Sequence, residues 1–259
     1  VADPLEPALD PFRRLRAATP ARIGLGRAGQ GLPTAPMLAF QLAHARARDA
    51  VSEALDVGAI SDALSRPTLI VESAAPDRET YLRNPDLGRR LAEGSTLARG
   101  DYDLAIVIAD GLSARAANLH GAPLALALSA RLEGWSVAPI VLARQARVAF
   151  GDPIGAALGA RAVAILIGER PGLSTPRSLS AYLTWNPRQG RLDSERNCVS
   201  NIHEPHGLSV DAAADKIAWL LREARRLGFT GVDLKDRHAV ETITLPATDV
   251  SFEPSGRLA

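Results

Sequence analysis

The order of apolar runs in the second half of the chain predicts an α/β fold: a parallel sheet with helices on both faces, preceded by a small, mainly helical N-terminal region. Three observations carry this. First, DLAIVIADG (103–111), VAPIVLA (137–143) and AVAILIG (162–168) are continuous apolar runs of strand length. Such runs mark strands buried on both faces. Second, helical patterns over roughly 113–133 and 152–158 separate them, which gives the order β-α-β-α-β. Third, no sheet pattern is clear before residue 95, where Pro4, Pro7, Pro11, Pro20, Pro33 and Pro36 interrupt helix early on. The predicted division is therefore 1–95, an arm and helical region, and 96–259, the sheet domain.

Each element has its own signal. The segment IGLGRAGQG contains Gly24-x-Gly26-x-x-Gly29, but no strand precedes it and Gly31 and Pro33 stand where a helix should begin. It reads as a glycine-rich arm lying on another surface. From Thr34 to Leu55 the pattern is helical, with Met37, Phe40, Leu42, Ala45, Ala47 and Ala50 set among polar residues. TLIVESAA (68–75) fits a short strand or part of a helix–loop run, and Tyr81, Leu82, Leu87 and Leu91 suggest small helices. The helix after Asp110-Gly111 is interrupted at Gly121-Ala-Pro123. Asp152 before Pro153 reads as an N-terminal cap with proline in the first turn. SLSAYLTW (178–185) and CVSNI (198–202) are further candidate strands. Val210 to Leu227 is an amphipathic helix with Ala214, Ile217, Ala218, Leu221 and Ala224 on its apolar face, stopped by Gly228.

Composition narrows the function classes. The chain has 259 residues, 30 basic and 29 acidic, for a formal charge of +1, so no whole-chain basic excess points to nucleic acid. The surplus is local: Arg13, Arg14, Arg16, Arg22 and Arg27 crowd the N-terminus, as an arm for an acidic partner or a solvated end. One cysteine excludes an internal disulfide framework and a cysteine-rich zinc site, and fits a reducing cytoplasm. No apolar run is long enough to span a membrane, and residues 1–16 lack the pattern of a secretory signal.

The predicted sheet would bring Asp110-Gly111, the loop 143–151 and Gly168-Glu169-Arg170 to one edge, where open α/β sheets take ligands. Glu169 could accept from a ligand hydroxyl or amide, or pair with Arg170 or Arg147. Asp110 reads first as a cap for the helix near Ser113. Cys198 has no evident base nearby, so it reads as a small residue filling a pocket wall rather than a nucleophile. His203-Glu204-Pro205-His206-Gly207 lacks the His-Glu-x-x-His spacing, and Pro205 prevents a helix from aligning both imidazoles, so a surface loop is expected. There is no nucleophile elbow and no Walker A lysine loop. A ligand edge without a complete catalytic set suits a subunit that holds a cofactor while another supplies the reactive site.

The assembled motifs resemble the small subunit of ethanolamine ammonia-lyase, an adenosylcobalamin-dependent enzyme. They are TPARIGLGRAG (19–29), FQLAHARARDAV (40–51), DYDLAIVIADGLSARA (101–116), RVAFGDPIG (147–155), GERPGLSTPRSLSAYLTW (168–185) and RNCVSN (196–201). The resemblance implies a Rossmann-like sheet domain and a TIM-barrel large subunit that binds ethanolamine. It implies adenosylcobalamin between the two subunits, and an assembly that is a trimer of paired heterodimers. It places cobalamin contacts at Val148, Glu169 and Cys198, and no catalytic residue on this chain. It implies cleavage of ethanolamine to acetaldehyde and ammonia, in the cytoplasm or in a bacterial microcompartment. The frame Asp-x-His-x-x-Gly, by which some cobalamin proteins replace the lower axial base, is absent around His44, His120, His203, His206 and His238. The cofactor is therefore expected to keep its own benzimidazole. From the residues alone, a dinucleotide-dependent oxidoreductase and a non-catalytic scaffold are the competing readings.

Overall fold

The computed structural model describes residues 12–19 and 21–237. The expected helix breaks at Pro4, Pro7, Pro11 and Pro20 lie outside these residues, as does His238. The architecture is mixed α/β. One six-stranded sheet runs in the order β1-β3-β2-β4-β5-β6. The strands are β1 (Thr68–Glu72), β2 (Tyr102–Ala109), β3 (Ile140–Arg144), β4 (Ala160–Gly168), β5 (Leu179–Trp185) and β6 (Asn197–Ile202). The helices are α1 (Arg13–Ala18), α2 (Thr34–Ser52), α3 (Val57–Leu64), α4 (Arg78–Arg83), α5 (Ala114–Arg131), α6 (Gly151–Leu158) and α7 (Val210–Leu227).

Strands β1 to β4 are mutually parallel, whereas β5 is antiparallel to β4 and β6 to β5. The expected parallel sheet holds for β1 to β4, and the two further strands add to it antiparallel. A parallel return needs a crossover of a dozen or more residues, usually a helix. The segments 169–178 and 186–196 carry no α-helix, so the chain turns back on itself. The sheet also reaches further towards the N-terminus than its pattern suggests. Thr68–Glu72 pairs in register with Ile140–Arg144 as an edge strand, so residues on both sides of position 95 build the same sheet.

Alternation along β2 separates the two faces. Leu104, Ile106 and Ile108 point to one core, with α3, α5 and α7. Ala105, Val107 and Ala109 point to the other, with α6 and Phe150. All of these β2 positions are inaccessible to water, and each fully buried Ile or Leu contributes about 1.5–3 kcal/mol. Helix α5 runs unbroken through Gly121 and Pro123, so the expected interruption is absent. Gly121 lets the helix lie close on the sheet: a Cβ there would come 2.6 Å from the Ile108 side chain. Pro123 forfeits a hydrogen bond to the carbonyl of Leu119, an exposed residue, where water can take its place. Helix α7 matches its predicted bounds, capped by Ser209 and ended by Gly228 at φ 82°.

The two faces are unequally covered. The second face carries the short helix α6, which rests on β2 and β4. The helices packed on β5 and β6 are α7 and α5, on the first face. Among the described residues, no helix packs squarely on the second face of β5 and β6, which bears Tyr182 and Cys198; α6 flanks it, tied to Thr184 through Asp152 and Arg196.

Candidate functional site

Of the three strand ends expected to form a ligand edge, those of β2 and β4 are packed against each other, while the loop after β3 carries Val148 and Ala149 to the cavity described below. Around β2 the order β3-β2-β4 places the reversal of strand order beside β2, where a crevice for ligand ordinarily forms. Here the backbone fills it. Leu112 donates its N–H to the Gly168 carbonyl at 2.9 Å. A Cβ at Gly168 would lie 2.7 Å from the Asp110 carbonyl oxygen and nearer still to that of Ser113. Gly111, at φ 56°, meets Gly168 from the other side. On the flank towards β3, the Asp110 carboxylate accepts from the backbone N–H of Gln145 at 2.8 Å and of Ala146 at 3.0 Å. Arg78 reaches Asp110 at 3.5 Å, the Gly111 carbonyl at 2.9 Å and the Val51 carbonyl at 2.7 Å. The Arg78 and Arg147 guanidiniums lie on the Tyr81 ring, 4.8 and 4.3 Å from its centroid. Asp110 thus locks the turn after β2 to the turn after β3. The expected cap is corrected: α5 takes Ser113 at its N-cap without a side-chain bond, and Ser113 donates instead to the Pro176 carbonyl.

A cavity of about 790 Å³ runs beside α6 over β5 and β6. Val148, Ala149 and Pro153 form one wall, and Tyr182 and Cys198 face it from the sheet. Leu192 lies at the rim, with Arg89, Arg90, Arg147 and Arg191 around it. Val148 and Cys198, far apart in sequence, therefore line one cavity. Glu169 is not on its wall; it is joined to it through Tyr182, whose hydroxyl donates to Glu169 Oε1 at 2.8 Å. Neither Arg170 nor Arg147 pairs with Glu169 among the ion pairs of the described residues.

Tyr182 was not singled out by the sequence, since its alternation in SLSAYLTW only marks a strand. The pairing Tyr182↔Ile165 and Tyr182↔Cys198 puts it on the open face, between the two. Burial, and then the Glu169 hydrogen bond, raise its phenol. Cys198 is exposed, yet the protein around its sulfur pushes the thiol up to about 11, with Tyr182 partly opposing this. Near neutrality it is a protonated, soft surface rather than a thiolate nucleophile.

Asp152 also departs from expectation. It lies inside α6, and its carboxylate takes a two-pronged ion pair from Arg196, with both N–O distances 2.7 Å and both side chains at most 3% exposed. Burial raises the Asp152 carboxyl, and the Arg196 hydrogen bonds oppose that rise. Arg196 also donates to Thr184 Oγ1 at 2.8 Å and to the Arg191 carbonyl at 3.0 Å.

The remaining motifs lie elsewhere. His203 is buried, with Nε2 2.8 Å from Asn201 Oδ1, so only part of the predicted 203–207 surface loop is exposed. The described residues hold no group of three or more side chains suited to a metal ion. Gly24, at φ 58°, packs on Phe12, and no strand precedes it among the described residues. No helix among the described residues is long and apolar enough to cross a membrane.

Comparison with known proteins agrees in one direction. A family model for the ethanolamine ammonia-lyase light chain matches residues 9–235. A relative from Azotobacter vinelandii, named ethanolamine ammonia-lyase small subunit, is 54% identical over 244 residues, covering 89% of this chain and 90% of the relative. Proteins of the same name from Xanthomonas campestris and Pseudomonas syringae are 51% and 47% identical, over 91% and 99% of this chain and 91% and 92% of their own length. With residues 9–235 inside the family model and about half of all positions shared with these relatives, the chain belongs to the ethanolamine ammonia-lyase light-chain family.

Proposed function

We propose that this small subunit holds adenosylcobalamin against a TIM-barrel large subunit, in an enzyme that converts ethanolamine to acetaldehyde and ammonia. The observation that carries the reading is the cavity over β5 and β6, lined by Val148 and Cys198 and tied through Tyr182 to Glu169. Its chemistry suits a corrinoid. Val148, Ala149, Pro153 and the Cys198 thiol offer a soft wall for a large ring, while Arg89, Arg90 and Arg147 at the rim suit the phosphate of the nucleotide tail. Glu169 keeps Oε2 for an amide or hydroxyl of the cofactor while Oε1 is held by Tyr182.

Bound adenosylcobalamin supplies the radical chemistry, and this chain's residues supply position. Val148 and Cys198 exclude water by packing, and the protonated thiol neither attacks nor ligates. The substrate site belongs to the large subunit in this reading. The β3-β2-β4 core with helices on opposite faces supports a Rossmann-like description of the sheet domain. The trimer of paired heterodimers, and a cytoplasmic or microcompartment setting, belong to the same proposal.

The test is reconstitution with the large subunit. The complex should retain corrinoid absorbance through gel filtration and release acetaldehyde from ethanolamine, and Glu169→Ala should weaken cobalamin binding several-fold. A complex that forms but retains no corrinoid would refute the reading.

A further inference from the structure

The Asp152–Arg196 pair lies beneath the cavity and has no role in the reading above. A buried ion pair is weak evidence for stability, because desolvation offsets most of the attraction. What this pair does provide is directional connection. Asp152 is on α6, four residues after Val148, and Arg196 precedes Cys198 by two. Helix α6 rests on β2 and β4, while β6 is an edge strand paired to β5. The Arg196 guanidinium spans the gap between them. Its prongs engage Asp152 on α6, Thr184 on β5 and the Arg191 carbonyl in the loop before β6. The cavity has the same two walls, Val148 to Pro153 on one side and Gln189 to Cys198 on the other.

We propose that Asp152 and Arg196 are positioning residues for the cofactor: their ion pair fixes the separation of the Val148 wall from the Cys198 wall. The inference rests on the cobalamin-holding role proposed above. A fixed fork of donors sets both distance and angle, which an apolar contact of the same volume does not. Cofactor affinity therefore depends on the pair beyond any effect on folding.

The decisive variant is the double substitution Asp152→Leu with Arg196→Met, studied in the complex with the large subunit. Replacing both charges removes the fork without leaving either ion unpaired. The thermal midpoint should stay near that of the unmodified complex, while the dissociation constant for cyanocobalamin, read by titration, rises tenfold or more. The rate at saturating adenosylcobalamin should be little changed. A native midpoint with affinity within twofold of the unmodified complex overturns the proposal. If the double variant does not assemble, Arg196→Lys decides. It keeps a charge opposite Asp152 but loses the reach to Thr184 and Arg191, so affinity should fall at least fivefold, and unchanged affinity overturns the proposal. Glu223→Ala is the control, because Glu223 pairs with Arg226 on α7, a helix packed on the other face of the sheet from the cavity, and should alter nothing. Glu169→Ala separates the two levels. If it weakens binding while the Arg196 variants do not, the positioning role alone fails; if it has no effect, the cofactor wall itself fails.

Discussion

Replacing Asp110 tests whether it is a helix cap or a lock between strand ends. Serine is nearly as good an N-cap as aspartate, so Asp110→Ser would be mild if capping were its role. In the structure the carboxylate instead uses both oxygens on the backbone N–H groups of Gln145 and Ala146, with the side chain 5% exposed. A serine hydroxyl is too short to reach both. One buried and one half-buried donor would lose their acceptor at about 1–3 kcal/mol each, and Arg78 would lose a counter-charge. Water entering the vacated space recovers part of this. The expected loss is about 3 kcal/mol for Asp110→Ser and for Asp110→Ala alike, a large share of the about 5–15 kcal/mol typical of a folded domain. Urea unfolding followed by the fluorescence of Trp135, Trp185 and Trp219 would measure it, comparing midpoints at constant slope. Asp110→Ser within about 0.5 kcal/mol of the unmodified protein, with Asp110→Ala clearly worse, would refute the lock and restore the cap.

Other consequences are equally direct. Gly168→Ala drives a methyl group into the carbonyls of Asp110 and Ser113, so it should destabilise the chain by about 1–3 kcal/mol or more and displace Glu169; a melting curve that does not move would contradict the close approach. Alkylation of Cys198 by iodoacetamide, followed by peptide mass spectrometry, should stay slow at pH 7–9 and accelerate as pH climbs towards about 11, because only the thiolate reacts; half-maximal rate at or below pH 9 would show that the thiol is not held protonated. Tyr182→Phe removes the hydroxyl bonded to Glu169 and should weaken corrinoid binding several-fold in the reconstituted complex; unchanged affinity would show that this bond does not serve the site.

Much of the fold is legible without coordinates, for physical reasons. The runs at 104–109 and 162–168 are apolar throughout because their strands are covered on both sides, and the structure places β2 and β4 there, side by side at the centre of the sheet. Helix α7 declares both ends through Ser209 and Gly228. The strand Thr68–Glu72 is harder to read, because an edge strand is half-wet: Leu69 is only partly buried and Ile70 is exposed. The antiparallel turn of β5 and β6 had a readable sign, the lack of any helical pattern between 169 and 196. Asp110 and Asp152 were read by their local neighbours, a helix start and a proline, whereas their partners lie 35 and 44 residues away. Local pattern carries no trace of such long-range bonds.

The sequence by itself determined the strand and helix order of the core and the family, because buried periodicity and long motifs are written in consecutive residues. Only the tertiary structure decided where a ligand could sit. Backbone packing at Gly111 and Gly168 closes the β2–β4 part of the expected edge, and among the described residues the helices packed on β5 and β6 lie on the opposite face. The open face therefore gathers Val148, Tyr182 and Cys198, residues whose proximity depends on strand pairing and helix placement.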